Sequence, residues 1–568
     1  MNKKNNLKIA AGLAAALALA GCDDQKAAEE TAPKETETPA TQEESVAPAA
    51  APASYTLETV VPGSAFHGIH GITETSDGKL LAGSVLGRAI YEIDKETGTV
   101  SIYEAPPTGM ADDLEEGPDG ALGWTAFLDG KYYLRTKDGE LRTLAEDLPG
   151  LNSTAWNMEG RLFATQVFLG DALYELDPQG IAPPRKIMED MGGLNGFDFG
   201  PDGKLYGPLW FKGEIVRVDV DEATLETVAT GFKTPAAVNF DSRGNLWAVD
   251  TAEGAVYKVD IDDGTRMKVA DVDAAIDNLA ITSDDRLFIT NMADNAIIEI
   301  DTETGESTPL VKGKLAVAAD LELVEEDGRE ALYVGDVFAL RKVDLADGSV
   351  SEVGRVFGSN VDYPISVAEA HGRIAVAGWS AGAVQAFDVG AAELPGPHHG
   401  FNTPTDALPL ADGGLLVAEY GRGALVKVAA DDWKNRTDFL TGLQGPANLM
   451  QAPDGRVYLS EQLAGRISVL DLETGALMPV AEGLEGPEGF DIDAEGNLYV
   501  AEVGARRISR IDLSTSEKIV IAEDLPIGFG FEGDVLPLNV PTGVAVAKDG
   551  AVYFTSDMEA ALYKLTPQ

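Results

Sequence analysis

Twelve copies of one four-strand motif predict an all-β chain folded as two consecutive six-bladed β-propellers. Three observations carry this. A turn glycine recurs at Gly78, Gly120, Gly160, Gly203, Gly244, Gly328, Gly372, Gly413, Gly455, Gly496 and Gly550, with Asp285 standing in once; the copies lie 40–44 residues apart except for a last step of 54. A fixed period over most of a chain marks a repeat architecture. Each copy divides into four short extended runs joined by tight turns, which is the make-up of a propeller blade. Rings usually close at about four to eight blades, so twelve divide naturally into six and six.

The elements follow in chain order. Residues 1–21 read as a secretory signal: Lys3, Lys4 and Lys8 precede an apolar, alanine-rich stretch too short to span a bilayer as a mature helix. It ends in Leu19-Ala20-Gly21-Cys22, which resembles the lipobox of bacterial lipoproteins, with Cys22 as the lipidated residue. Cys22 is the only cysteine, so no disulfide framework and no Cys-based zinc site competes for it. The plainer alternative is an ordinary signal peptide with an incidental cysteine. Asp23 and Asp24 follow, and an Asp there resembles the inner-membrane retention signal of enterobacterial lipoproteins. The expected location is the cell envelope, with the periplasmic face of the inner membrane favoured over the outer membrane. Residues 22–54 are the lipidated Cys and a tether rich in Ala, Glu, Thr and Pro with no aromatic residue, which cannot bury enough apolar surface to offset its ordering entropy.

Residues 55–317 are assigned to the first ring and 318–568 to the second. The strand at 55–61 (YTLETVV) precedes blade one, and the twelfth blade, ending at 562–565, has only three strands of its own. Either 55–61 supplies its outer strand, so that the chain ends meet, or it pairs within the first ring. Blade eleven is the clearest copy: a first strand ending at 492, a turn at Ala494-Glu495-Gly496, an alternating, half-buried strand at 497–502, and further strands at 507–513 and 518–522. The turn glycine answers a need for positive φ, which a Cβ makes costly. The step of 54 reflects a Gly-rich insertion around 527–538.

Composition narrows the partners. With 568 residues and 44% hydrophobic content, the chain can bury large cores. Its 94 acidic against 43 basic residues give a net charge of −51, which argues against nucleic acid and anionic lipid surfaces and suits cations. The membrane is expected to be met only through the lipid at Cys22. Small-molecule substrates or envelope proteins remain as partners.

In a propeller the innermost strand of each blade starts beside the central tunnel, so one residue per blade converges there. Eight residues before each turn position stand His70, Asp112, Asn152, Asn195, Ala236 and Asp277 in the first ring, and Asp320, Pro364, Thr405, Ala447, Glu488 and Thr542 in the second. Five of the first six are polar and the second set is mixed, so the first ring is the better candidate for chemistry.

The blade motif resembles the SMP-30/gluconolactonase/LRE family and its strictosidine synthase-like and paraoxonase-type relatives. Asn195-Gly196-Phe197-Asp198 with Pro201-Asp202-Gly203 is similar to the family's Asn-Gly strand start and Asp-Gly turn; Asn152 stands at the equivalent place one blade earlier, and Asp277-Asn278 looks like the Asp-Asn pair of the paraoxonase-type members. The resemblance implies a divalent cation, commonly calcium, held here by Asn152, Asn195 and Asp277, with Asp112 expected to supply the negative charge of the family's missing Glu. Two departures stand against it: His70 occupies the place of the family's Glu, and Asp277 lies two blades past Asn195 with Ala236 between. Calcium takes about six to eight oxygen ligands, which carboxylates, amide carbonyls and water supply. Such a cation at a tunnel mouth polarises a lactone or ester carbonyl, with Asp277 as base or nucleophile and His70 moving a proton. The expected function is therefore a calcium-dependent hydrolase of a lactone or ester. Its rival is a non-catalytic binding platform, in which the tunnel residues are polar only because the tunnel is wet. A lyase on the same fold ranks last, because no histidine pair stands at strand starts.

Three motifs are set aside. Gly378-Trp379-Ser380-Ala381-Gly382 matches a hydrolase nucleophile elbow but falls on a hairpin turn of blade eight. Asp491, Asp493, Glu495, Gly496 and Glu502 nearly spell an EF-hand loop, but a strand follows where a helix is needed. Pro397-His398-His399-Gly400 reads as a loop between blades eight and nine.

Overall fold

The computed structural model describes residues 54–326, 328–529 and 540–568. The signal, Cys22, nearly all of the tether and most of the 527–538 insertion lie outside the described residues. Among the described residues the strands pair into twelve four-stranded antiparallel sheets. Blade five shows the pattern: Pro235–Phe240, Leu246–Asp250, Ala255–Val259 and Arg266–Asp271 are hydrogen-bonded in chain order. The second strand is wholly buried, whereas the fourth is mostly open to water. Burial falls from axis to rim because the inner strands are covered on both faces by neighbouring blades, while the outer one has a free edge.

All twelve turn positions have positive φ, from +62° at Asp285 to +87° at Gly413, so the period read from the sequence is a backbone requirement. The strand Asn497–Glu502, expected to be half-buried, is buried at every position. Its polar ends are hydrogen-bonded instead of solvated: Asn497 donates to Asp493 Oδ2 at 2.7 Å, and Arg507 donates to Glu502 Oε2 at 2.8 Å. Asp493 Oδ1 accepts from the Glu495 and Asn497 amides, which gives the EF-hand-like spacing a turn-forming job. His398–His399 is not a loop but the short outer strand of blade eight, paired with Ala383 and Val384.

The innermost strands of blades one to six pack side by side, and Ile276–Ile281 of blade six returns to Ile72–Glu74 of blade one. Blades seven to twelve close in the same way through Val544–Val546 and Leu321–Glu326. The strand Tyr55–Val61 pairs antiparallel with Ala561–Pro567, from Tyr55 opposite Pro567 to Val61 opposite Leu562. It therefore completes blade twelve, and the span 55–317 drawn for the first ring yields its first strand to the second. The first ring is an insertion within the second.

Carboxylates stitch adjacent blades together. Asp113 accepts from the Thr154 amide, Asp198 from Phe240, Asp406 from Leu449 and Asp491 from Val546, each within 2.7–3.0 Å. Each satisfies an inner-strand N–H that has no strand partner on that side. The rings meet through Met292, Val317, Phe338, Ile365 and Trp379, and through Asp294, which pairs with Arg355 at 3.1 Å. Asp336 accepts the Ala316 and Val317 amides of the ring-to-ring connection, each at 2.8 Å. Among the described residues no helix is long and apolar enough to cross a membrane.

Candidate functional site

The mouth of the first ring opens into a cleft lined by His70, Asp112, Asn152, Asn195 and Asp277. Five blades thus bring one polar side chain each to a common floor; Ala236 leaves blade five without a donor. The backbone holds them there. His70, Asp112 and Asn195 stand just ahead of their strands, each amide bonded to the second strand of its own blade at 2.8–3.0 Å. Asn152 and Asp277 lie where the pairing register shifts, between Leu151 and Thr154 and between Ile276 and Leu279. A bulge of this kind re-aims a side chain toward the axis.

The floor is bonded to itself. Asp277 Oδ2 lies 3.0 Å from His70 Nδ1, and Asp112 Oδ1 lies 3.8 Å from the same nitrogen. Asn152 Nδ2 donates to Asp112 Oδ2 at 2.5 Å. Ser153 Oγ lies 2.8 Å from Asn152 Oδ1 and 3.0 Å from Asn195 Oδ1, and Asn195 Oδ1 also accepts the Gly196 amide. His70 Nε2 is buried and finds no partner among the described residues. Burial, with the charges of Asp277 and Asp113 behind it, holds the Asp112 carboxyl well above the ordinary range.

The oxygen donors implied for calcium are therefore gathered on one cleft, but they do not form an open cage. An imidazole nitrogen stands between the two carboxylates, and both amide oxygens are turned to Ser153. Among the described residues no group of three or more His, Cys, Asp or Glu is disposed to hold a metal ion.

Below the floor the tunnel continues as a second, polar cavity that includes Asp113, Glu115, Asp198 and Asn278. Asn278 Nδ2 donates to Asp113 Oδ1 at 3.0 Å, tying blade six to blade two across the axis. Burial pushes Asp113 up to about 7 and Asp198 up to about 6, against the amides that donate to them. Among the described residues no Lys or Arg lines this cavity.

Sequence reasoning missed the roof. Val337, Phe338, Phe357, Tyr363, Ile365, Trp379 and Ser380 of the second ring line the same cleft as the first-ring floor. The only signal pointing there was Gly378-Trp379-Ser380-Ala381-Gly382, whose hairpin, between Arg373–Gly378 and Ala383–Asp388, delivers Trp379 and Ser380 to the cleft. Burial and the charges of Asp362, Asp277 and Asp112 hold the Tyr363 phenol well above its ordinary range, so it stays protonated. In the second ring's own mouth, Asp320, Thr405, Glu488 and Thr542 are buried within the ring. His67 belongs to the inter-ring contact: its Nε2 meets the Met558 carbonyl at 2.7 Å and its ring stacks on Phe529.

No family model and no curated protein matches the chain. Among solved structures it is similar to a gluconolactonase from Xanthomonas campestris, at 18% identity over 42% of this chain and 87% of that one, with a TM-score of 0.35. It is also similar to a chain of the nidogen/laminin complex, at 18% identity over 40% and 91%, TM-score 0.37. A streptogramin B lyase matches at 13% identity over 90% and 98%, TM-score 0.20. The strand pairing establishes the fold without these neighbours.

Proposed function

We propose that the cleft at the mouth of the first ring is the active site of a hydrolase acting on a lactone or ester. The observation that carries this is the Asp277–His70 pair. A carboxylate fixes Nδ1, leaving a second imidazole nitrogen buried and unpartnered in a residue that lines an apolar cleft. In this reading Asp277 orients His70, and Nε2, once substrate entry opens its buried edge to water, takes a proton from that water as the water oxygen adds to the carbonyl carbon. The same proton then goes to the departing alkoxide as the carbon–oxygen bond breaks. Hydrolysis of an ester and lactone panel by the purified full chain tests it. Asp277→Asn and His70→Ala are expected to lower kcat by about a hundredfold or more. No turnover across the panel, or turnover indifferent to both variants, would leave the binding-platform reading in its place.

One observation favours a cation at the same floor: Asp112 is buried beside Asp277 and Asp113, and a positive charge would relieve their repulsion. Asp112, Asp277 and the amide oxygens of Asn152 and Asn195 are the groups that would hold calcium once His70 and Ser153 turn away. Calorimetry with calcium, using an Asn195→Ala/Asp277→Ala double variant as control, decides this: heat lost in the variant supports it, and no heat removes it.

We also read the chain as an extracytoplasmic lipoprotein carried on Cys22, with Asp23 favouring the periplasmic face of the inner membrane. A Cys22→Ser variant is expected to leave the membrane fraction and lose fatty-acid labelling.

A further inference from the structure

The aromatic side chains around the cleft form one continuous chain of contacts. Phe168 meets Trp210 edge to face at 5.4 Å between centroids, and Trp210 meets Phe357 at 5.7 Å. Phe357 meets Tyr363 at 6.3 Å, Tyr363 meets Phe338 at 5.9 Å, and Phe338 meets the His70 imidazole at 5.9 Å. This belt crosses from the first ring to the second at Trp210–Phe357 and returns at Phe338–His70, so neither ring holds it alone.

The backbone beneath the belt is unusual. Phe168, Phe357 and Tyr363 have φ of +69°, +64° and +51°, and they are the only Phe, Trp or Tyr residues with positive φ among the described residues. Bulky side chains are strained there, and such strain gathers at ligand clamps, where the surroundings over-determine it. The polar groups are concentrated at the floor. Above it the walls add few polar groups, the Tyr363 phenol, Ser380 and the Trp210 indole among them, and the Trp379 indole N–H is buried without a partner among the described residues.

We propose that the site is composite: Phe338, Phe357 and Tyr363 of the second ring and Trp210 of the first form one continuous aromatic wall, against which a flat, uncharged aromatic body of the substrate packs. The ester or lactone carbonyl then lies at the His70–Asp277 floor, a placement that rests on the hydrolase reading above. Aromatic walls reward a flat apolar group through edge and face contacts. A polyhydroxylated lactone would bury hydroxyls that the walls leave unpaired. Anionic substrates are disfavoured by Asp277 at the floor.

The test uses the purified full chain with 2-naphthyl acetate, its non-hydrolysable amide analogue and D-glucono-1,5-lactone. The amide is expected to quench tryptophan fluorescence and to bind at least tenfold more tightly than the gluconolactone. Phe357→Ala is expected to weaken amide binding tenfold and to raise KM for the acetate more than it lowers kcat. Phe338→Leu and Phe357→Leu, which keep most of the volume and lose the ring, repeat the measurement if the alanine variant unfolds. Gluconolactone binding as tight as the amide, or folded belt variants that bind the amide like the parent, would overturn the proposal. Belt-dependent amide binding without ester turnover would sink only the hydrolase reading. Turnover indifferent to the belt would sink only this one.

Discussion

The turn positions are where single residues govern the fold. Gly496 has φ +84°, and a Cβ added there would meet nothing within 4 Å, so its cost is purely conformational. Gly496→Ala is expected to destabilise by about 1–2 kcal/mol, measured by equilibrium unfolding, although it removes no contact. Asp285 shows how one copy dispenses with glycine: it accepts φ +62° while its carboxylate bonds the Ser242 amide and hydroxyl of the neighbouring blade. These positions were legible because a backbone demand leaves the same mark in every copy. The floor residues were legible for a related reason: equal offsets from the turn put His70, Asp112, Asn152, Asn195 and Asp277 at equal places in their blades. Their bonding was not. Nothing in the spacing says that His70 sits between two carboxylates, or that Ser153 turns both asparagine oxygens away from the axis.

At the scale of the element, the two rings close by different means. The first has all four strands of each blade consecutive in sequence and is joined by side chains across the blade one–six seam. There Thr290 donates to the His70 carbonyl at 2.5 Å, and the Ser283 amide donates to Glu74 at 2.6 Å. The second borrows Tyr55–Val61 for its last blade. Deleting 55–61 is expected to lower the stability of the second ring by ~3 kcal/mol or more, since it removes a run of backbone hydrogen bonds and the buried Val61. A thermal scan that keeps the parent midpoint would contradict this. The deficit of one strand in the twelfth blade was visible in the sequence, but not which edge would fill it, because YTLETVV pairs equally well in principle with any free strand edge. The second-ring roof was invisible for a sharper reason. Phe338, Phe357 and Trp379 occupy turns and Tyr363 the connection from blade seven to blade eight, all ordinary positions in the repeat, and only the angle between the rings brings them over the mouth.

At the scale of the whole molecule, charge sets a pH window. Burial raises Asp336, against Arg341 and the Ala316 and Val317 amides, to about 6; Asp406 and Asp491 to about 6; and Asp557 to about 7. Each binds a proton more readily folded than unfolded, so the stability it contributes is present below the unfolded value of 3.8 and is lost as pH rises through 6 to 7. Glu175 acts in the opposite direction. Arg161, joined by Arg185, outweighs burial and holds it down to about 2; for Glu502 burial is outweighed by Arg507, Lys518 and Ser509, also to about 2. Their contribution is present above 4.5 and is lost as pH falls toward 2. The melting temperature is expected to peak at about pH 4 to 4.5 and to decline toward pH 7; a steady rise from pH 5 to 7 would refute this. The nesting of one ring inside the other has a covalent consequence as well. The chain passes between the rings twice, at 62–71 and at 313–320, and the Gln568 amide donates to the Ser54 carbonyl at 2.9 Å. A protease that cuts one passage leaves the rings joined by the other, so a single nick releases neither ring and the aromatic roof stays tethered over its floor.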